Sequence, residues 1–430
     1  MAREMKDSGI QWLGAIPMDW EIGLLKRYCL CKTGSTPSTN NPEWFDGKIK
    51  WFTPGDFSDR YILSESNRTL SVKAKLDNVI TIIPANTVLL VGIGATAGKI
   101  GLSKEECSCN QQITALITNK ILPQYLMYWM IVNTTHLRET VMYTTLPIIN
   151  NQTIGNYPII CPAPNEQKKI ADYLDKKCAE IDALVTDIQS QIDILEDYKK
   201  SIITEAIIKG LNPNVEMKDS GIEWIGVMPK KWKCIKSKYI FIQRSERGNK
   251  ISLELLSPTQ KFGVIPQKLY EELTTNTAVK IQENTNLEMF KTIHKGDYCI
   301  SLRSFQGGFE YSCYEGVVSP AYQVFYPIQN IYEGYYKYLF KSQSFINKIN
   351  SYTMSLRDGK NIAFSDFGNT YIPVPPVDEQ KKIADFLDLK CEEINNVIKD
   401  KNEQLDVLEQ YKKSLIYEYV TGKKEVFVND

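Results

Sequence analysis

A chain of 430 residues that is 43% hydrophobic, 11% aromatic and 24% charged is long enough for two or three domains with separate cores. Its 51 Lys and Arg balance 51 Asp and Glu, so no bulk excess of positive charge announces a nucleic-acid or membrane partner. No run reaches the eighteen or so uncharged apolar residues that span a bilayer, and the opening "MAREMKDSG" lacks the apolar stretch of a secretion signal.

In chain order, the first element is "MKDSGIQWLGAIPMDW" from Met5, which returns as "MKDSGIEWIGVMPKKW" from Met217 with ten of sixteen positions identical. Between 21 and 160 the pattern is that of a mixed α/β domain. The strand-like "VITIIPANTVLLVGI" (79–93) precedes the helix-like "PQYLMYWMIVNTTHLRETV" (123–141). The ten cysteines stand singly or as the pairs Cys29/Cys31 and Cys107/Cys109, with no CxxC. Reduced thiols packing as small hydrophobes, no metal site and a cytoplasmic location are therefore expected.

Two motifs in this stretch invite a catalytic reading and fail it. "GIGATAGKIG" (92–101) has three residues between Gly94 and Gly98, one short of a phosphate loop, and Ile100 stands where Ser or Thr would hold magnesium. As a dinucleotide fingerprint its third glycine is misplaced. "DGK" at 46–48, and again at 358–360, lacks the upstream Pro-Asp of a metal-dependent nuclease, and Asp-Gly is a common turn pair. The two histidines, His136 and His294, have no cysteine or serine set around them and read as structural. No adenine-methylation tetrapeptide and no helicase-type ATPase box is present. A binding protein without catalytic residues is the expectation.

From 161 the composition changes. "EQKKIADYLDKKCAEID" (166–182) returns as "EQKKIADFLDLKCEEIN" (379–395), identical at thirteen of seventeen positions, and "LEDYKKS" (195–201) returns as "LEQYKKS" (408–414). In the first tail Leu174, Cys178, Ile181, Val185, Ile188, Ile192, Leu195 and Ile202 trace an apolar seam at helical four–three spacing. In the second, Leu387, Cys391, Ile394, Ile398, Leu405, Leu408 and Leu415 hold the same register, broken once at Lys401. Prolines in "CPAPNEQ" and "VPPVDEQ" leave Asn165 and Asp378 as the expected caps, while Gly210 and Gly422 close the ends. About 44 residues at 1.5 Å each make a rod of roughly 65 Å. One seam cannot bury itself, so the two helices are expected to pair antiparallel.

The stretch 212–373 repeats the plan, with "DYCISL" and "VVSPAYQVFY" as strands before the helix-like "GYYKYLFKSQSFINKI". The expected architecture is α/β (α+β), with a globular domain at 1–160 and a long helix at 161–211. A second globular domain follows at 212–373, and a second long helix with a short tail at 374–430. Antiparallel pairing of the helices gives pseudo-two-fold symmetry. Charge follows the same division. Residues 21–150 hold 13 Lys+Arg against 10 Asp+Glu and 233–365 hold 17 against 11, whereas 166–211 hold 7 against 10 and 378–422 hold 7 against 11. Overall neutrality hides two basic domains, suited to phosphate, and two acidic helices left for other partners.

The doubled frame "PxPxxEQKKIADxLDxKCxEI", the paired "MKDSGIxWxGxxPxxW", and "TGSTPSTNNPEWFDGKIKWFTPGDF" (33–57), with "CNQQITAL" and "VVSPAYQVF", resemble the specificity subunit of type I restriction–modification systems. The resemblance covers almost the whole chain. It implies two target-recognition domains, each reading one half of an asymmetric bipartite double-stranded DNA sequence. It also implies a coiled coil that sets the half-site spacing, and no catalysis in the chain itself. The implied partners are two methyltransferase subunits and, through them, restriction subunits. S-adenosylmethionine, ATP and magnesium would belong to those partners and not to this chain.

Polar or basic residues in Gly-, Pro- or Asn-rich loops are the expected DNA contacts. In the first domain these are Ser35, Thr36, Lys48, Lys50, Arg60, Lys99, Gln111, Gln112 and Asn151. In the second they are Arg244, Arg247, Lys250, Arg303, Ser304, Gln306, Arg357, Lys360 and Asn361. The rival reading is a non-catalytic adaptor whose two domains bind proteins and whose helices hold them apart.

Overall fold

The computed structural model of the chain describes residues 3–58, 61–141, 148–248, 254–274, 289–301, 308–352 and 362–426. Its contacts form two units, Met1–Ile188 with Glu403–Asp430, and Gln189–Asn402. Each unit therefore takes a part of both long helices.

In the first unit a five-stranded sheet runs in the order Cys29–Thr33, Ile113–Thr118, Thr87–Val91, Ile100–Ser103, Ile62–Leu63. All neighbours are antiparallel except the last pair. The strand Thr87–Val91 is buried along its whole length, which is why "TVLLV" reads as a continuous apolar run and not as an alternation. It is shorter than the expected 79–93, because Pro84 and the left-handed Asn86 (φ 55°) turn the chain just before it. The helix Pro123–Glu139 packs on this sheet and buries Tyr125, Trp129 and Met130. "GIGATAGKIG" is the turn into the next strand, with Gly94 and Gly98 left-handed and Lys99 donating to the Phe57 carbonyl at 3.0 Å. No helix follows it, as a phosphate loop would need. Asp46 of the first "DGK" is left-handed in a bulge of the strand Phe45–Phe52. At Gly47 a Cβ would stand 2.3 Å from Ser71 Cα, so that position has to be glycine. The second "DGK" lies outside the described residues.

In the second unit four strands repeat the first four of that order: Phe241–Gln243, Gln323–Pro327, Tyr298–Ile300, Phe309–Tyr311. Two sequence expectations need correction here. "VVSPAYQVFY" is two strands, Gly316–Val318 and Gln323–Pro327, pairing with different neighbours. "GYYKYLFKSQSFINKI" is two helices, Glu333–Lys341 and Gln343–Ser351. The break is at Ser342, whose extended backbone (ψ 142°) ends the first and whose hydroxyl accepts from Phe345 N at 3.4 Å to cap the second. The core between sheet and helices is largely aromatic, with Phe241, Phe309, Phe325, Phe340, Phe345 and Phe367 in edge-on or tilted ring contacts.

One acid is buried on the other face of that sheet, opposite Cys299. Glu310 is buried and takes Lys341 Nζ at 2.7 Å on both oxygens, and burial pushes its carboxyl up to about 7 despite the lysine. Its folded pKa lies above the unfolded one, so the folded state holds the proton longer. This group's contribution is then fully present below the ordinary carboxylate range and falls as pH rises towards 7. Glu310→Gln should flatten that slope, by up to the order of 3 kcal/mol between pH 4.5 and 7. Denaturant midpoints of variant and wild type that track in parallel across this window would contradict it.

The long helices span Pro164–Lys209 and Val377–Val420. Asn165 and Asp378 lie inside the first turns and are not the caps. Proline is accepted at a helix's first position, where no N–H bond is required, and Pro164 takes that place. Gly210 (φ 76°) and Gly422 (φ 73°) follow the C-terminal ends. Every predicted seam residue is buried or half-buried. In the first unit the Tyr173 and Tyr419 hydroxyls meet at 3.2 Å and Lys412 reaches Asp182 at 2.6 Å, so numbers rise on one helix as they fall on the other. In the second unit Lys401 meets Gln191, and Lys199 meets Asn395 at 2.7 Å, in the same sense. The pairing is antiparallel in each. The seam break at Lys401 is resolved by the amide oxygen of Gln191.

Candidate nucleic-acid interface

The repeated residues build a mount whose main side-chain bonds recur in both units. Trp20 Nε1 donates to Glu166 at 2.9 Å and Trp232 Nε1 to Glu379 at 2.9 Å. Gln167 accepts from Leu122 N at 2.9 Å and donates to Pro162 O at 2.8 Å; Gln380 does the same with Tyr332 N and Pro375 O, both at 2.8 Å. Tyr125 OH donates to Val420 O (3.2 Å), and Tyr335 OH to Ile207 O (2.7 Å). A Cβ on Gly422 would lie 3.0 Å from Trp20, and one on Gly210 would lie 3.1 Å from Trp232. The segments "MKDSGIxWxGxxPxxW" and "EQKKIAD" thus hold each sheet on the helices, and chemistry is left to the loops between them.

In the first unit those loops enclose an open cleft of about 400 Å³. Its walls are the Gly92–Ile93 turn, Gln111–Gln112 and residues 148–152, with Thr33 and Thr114 at the base. Gly92 lets three segments meet. Its N–H donates to Gln112 O and its carbonyl accepts from Ile149 N, both at 2.7 Å, and a Cβ there would sit 2.8 Å from Ile149 O. Asn151 bridges Thr33 (3.0 Å) and Thr114 (2.9 Å), and Thr36 bonds Gln111. Five side-chain amides line the cleft, and among the described residues no charged one does. Such a surface suits a neutral hydrogen-bonding edge better than a phosphate.

Of the expected contacts, Gln111, Gln112 and Asn151 converge on this cleft, with Thr36 at its margin. Ser35 lies behind it, accepting from Thr81 N at 2.7 Å and from the Trp51 indole at 3.2 Å. Lys48 is exposed. Lys50 pairs with Glu105 at 2.9 Å, which holds its ammonium above the ordinary value. In the second unit the Arg244 guanidinium is taken by Asp297 through two bonds (2.7 and 2.9 Å) and lies 4.3 Å over the Tyr326 ring. Arg247 is exposed, with Nη1 3.7 Å from Met289 Sδ. Arg60, Lys250, Arg303, Ser304, Gln306, Arg357, Lys360 and Asn361 lie outside the described residues.

The groups read as structural are held inside the units. His136 bonds Tyr157 OH at 2.9 Å and lies 4.8 Å from the Trp12 ring, while His294 bonds Glu246 (3.0 Å) and Glu315 (2.9 Å), which raise its pKa. Burial pushes the Cys29 thiol up to about 12 and Cys107 to about 11, as for thiols that pack and do not react. Among the described residues no helix is long and apolar enough to cross a membrane, and no group of three or more His, Cys, Asp or Glu is placed to hold a metal ion.

Sequence reasoning missed Asn150, Gln152, Thr33 and Thr114 in the cleft. It also missed a set of exposed apolar residues on the long helices, Leu184, Ile194 and Tyr198, repeated as Val397, Val407 and Tyr411. Comparing the two tails for apolar residues off the seam would have found that set.

Comparison with known proteins agrees with this geometry. The family model for the type I restriction modification DNA specificity domain matches twice, over residues 17–194 and 227–406. The MjaVIII type I restriction enzyme specificity subunit of Methanocaldococcus jannaschii is 25% identical over 421 residues, 96% of this chain and 94% of that one. The MjaIX specificity subunit of the same organism is 31% identical over 198 residues, 45% and 44% of the two chains. A solved chain from work on complex assembly and conformational transition of the type I R-M system has the same fold. It matches with TM-score 0.69 at 14% identity, covering 95% of this chain and 99% of its own.

Proposed function

The chain belongs to the type I restriction–modification DNA specificity family, and from that premise we propose that it reads a bipartite DNA target, one half with each α/β domain. It is the non-catalytic specificity subunit of its complex. The paired helices set the half-site spacing and dock two methyltransferase subunits, which bring restriction subunits with them. S-adenosylmethionine, ATP and magnesium act in those partners, in the cytoplasm. What carries this reading is one mount with the same main bonds in each unit, beneath two sets of loops unlike in sequence. Like mounts give equivalent placement, and unlike loops give unlike half-sites. The adaptor reading has no such use for the divergence.

Contacts fall into two groups on this reading. Exposed Lys48 and Arg247 position the backbone, while the amides of the cleft read base edges. We leave Arg244 out of the first group, because Asp297 already neutralises it. Binding to the cognate duplex should weaken steeply with salt, and Lys48→Ala should reduce the log–log slope by about 1 without changing the preferred sequence. Salt-independent association with no sequence preference would favour the adaptor.

A further inference from the structure

The cleft of the first unit has a hydrogen-bonding polarity that its own internal bonds set. Asn110 Oδ1 accepts from the backbone N–H of Gln112 at 3.1 Å, and a backbone N–H can only donate. The other end of Asn110 is therefore Nδ2, and it donates to Gln112 at 3.1 Å, so the Gln112 atom facing it is Oε1. That leaves Gln112 Nε2 for the cleft. The same reasoning orients Asn150, whose Oδ1 accepts from Thr153 N at 2.9 Å and from Thr153 Oγ1 at 3.1 Å, leaving Nδ2. Among the described residues neither nitrogen donates to a partner in the chain. Gln111 and Asn151 bond threonine hydroxyls, which both donate and accept, so their orientation is not set in this way.

Two lining amides thus present donors, in a cleft lined by no charged residue among the described ones. In the major groove cytosine offers a donor, adenine an acceptor beside a donor, and thymine an acceptor beside a methyl group. Guanine alone offers two adjacent acceptors, O6 and N7. We propose that Gln112 and Asn150 are specificity-determining residues that read a guanine in the half-site bound by the first domain. The proposal rests on the DNA-reading function above.

The test uses the full chain co-expressed with its methyltransferase, with methylated sites mapped for wild type and variants. Gln112→Glu keeps the bond from Asn110 and turns the free donor into an acceptor. It should move the preference at one position of one half-site from guanine to cytosine and leave the other half unchanged. Gln112→Leu, which adds no charge, should relax the same position by roughly 5- to 150-fold. Asn150→Ser keeps an acceptor for Thr153 and should relax the same position as Gln112→Leu. Unchanged base profiles in all three variants, or a uniform fall over both half-sites, would overturn the proposal. A wild-type complex that methylates no bipartite site would remove the underlying function and this inference with it.

Discussion

Tyr411→Glu is expected to remove one of two methyltransferase copies from the complex, Tyr198→Glu to remove the other, and the double variant to remove both. The two tyrosines stand at equivalent places in the repeat. With them go Val407 and Leu184 in one unit, and Ile194 and Val397 in the other. All six are between 44% and 64% exposed, on helices whose outer faces are otherwise mostly charged. The bonds Asp182–Lys412 and Lys199–Asn395 put each trio at one level of its helix pair. Apolar residues kept exposed twice, at the same offset as the frame, fit a partner that binds twice. An aromatic anchor in such a patch is worth about 2 kcal/mol or more, or roughly 30-fold in affinity. Because both tyrosines are exposed, the folded core should not change. The mass of the co-expressed complex checks the result, and two copies retained by the double variant would contradict it.

Trp232→Ala should destabilise the second unit by about 3–5 kcal/mol, the range for a fully buried large aromatic. The change opens a cavity and leaves Glu379 without the indole N–H it accepts. It also takes away the surface on which Gly210, at the end of the first long helix, closes. Trp20→Ala should act alike on the first unit, through Glu166 and Gly422. Trp232→Phe keeps most of the volume and should cost about 1.5–3 kcal/mol, the value of one hydrogen bond to a charged group. Urea midpoints followed by circular dichroism measure all three. Losses below about 1 kcal/mol for both alanine variants would mean that the mount is held elsewhere, for instance by Gln167 and Gln380.

How legible this was depended on whether the information was local. The two-fold frame could be read because it is written twice, and the seam because helical spacing forces each of its members towards the partner. Both helix starts were placed two residues late; in the first, proline blocks a helix interior but not its first position, and Pro164 takes that place. The strand at 87–91 was read too long because Ile82 and Ile83 are apolar for another reason. They lie before the Pro84–Asn86 turn, and Ile83 bonds Cys107.

The site was legible only by residue type. Gln111 and Gln112 stand next to a strand and could be placed on its loop, but nothing local says that residues 148–152 cross Gly92 to meet them. Asn150 looked like any loop asparagine until its oxygen was found capping Thr153. Arg244 read as a free cation because Asp297, which holds it, is 53 residues further on.

One chain supplies two unlike half-site readings from one repeated mount. Mapping methylated adenines across a genome, in cells that express the chain with its methyltransferase, tests it most directly. The expected result is a single bipartite motif with two different halves and a fixed spacer. Unmodified DNA despite a stable complex, or a motif with only one half, would contradict it.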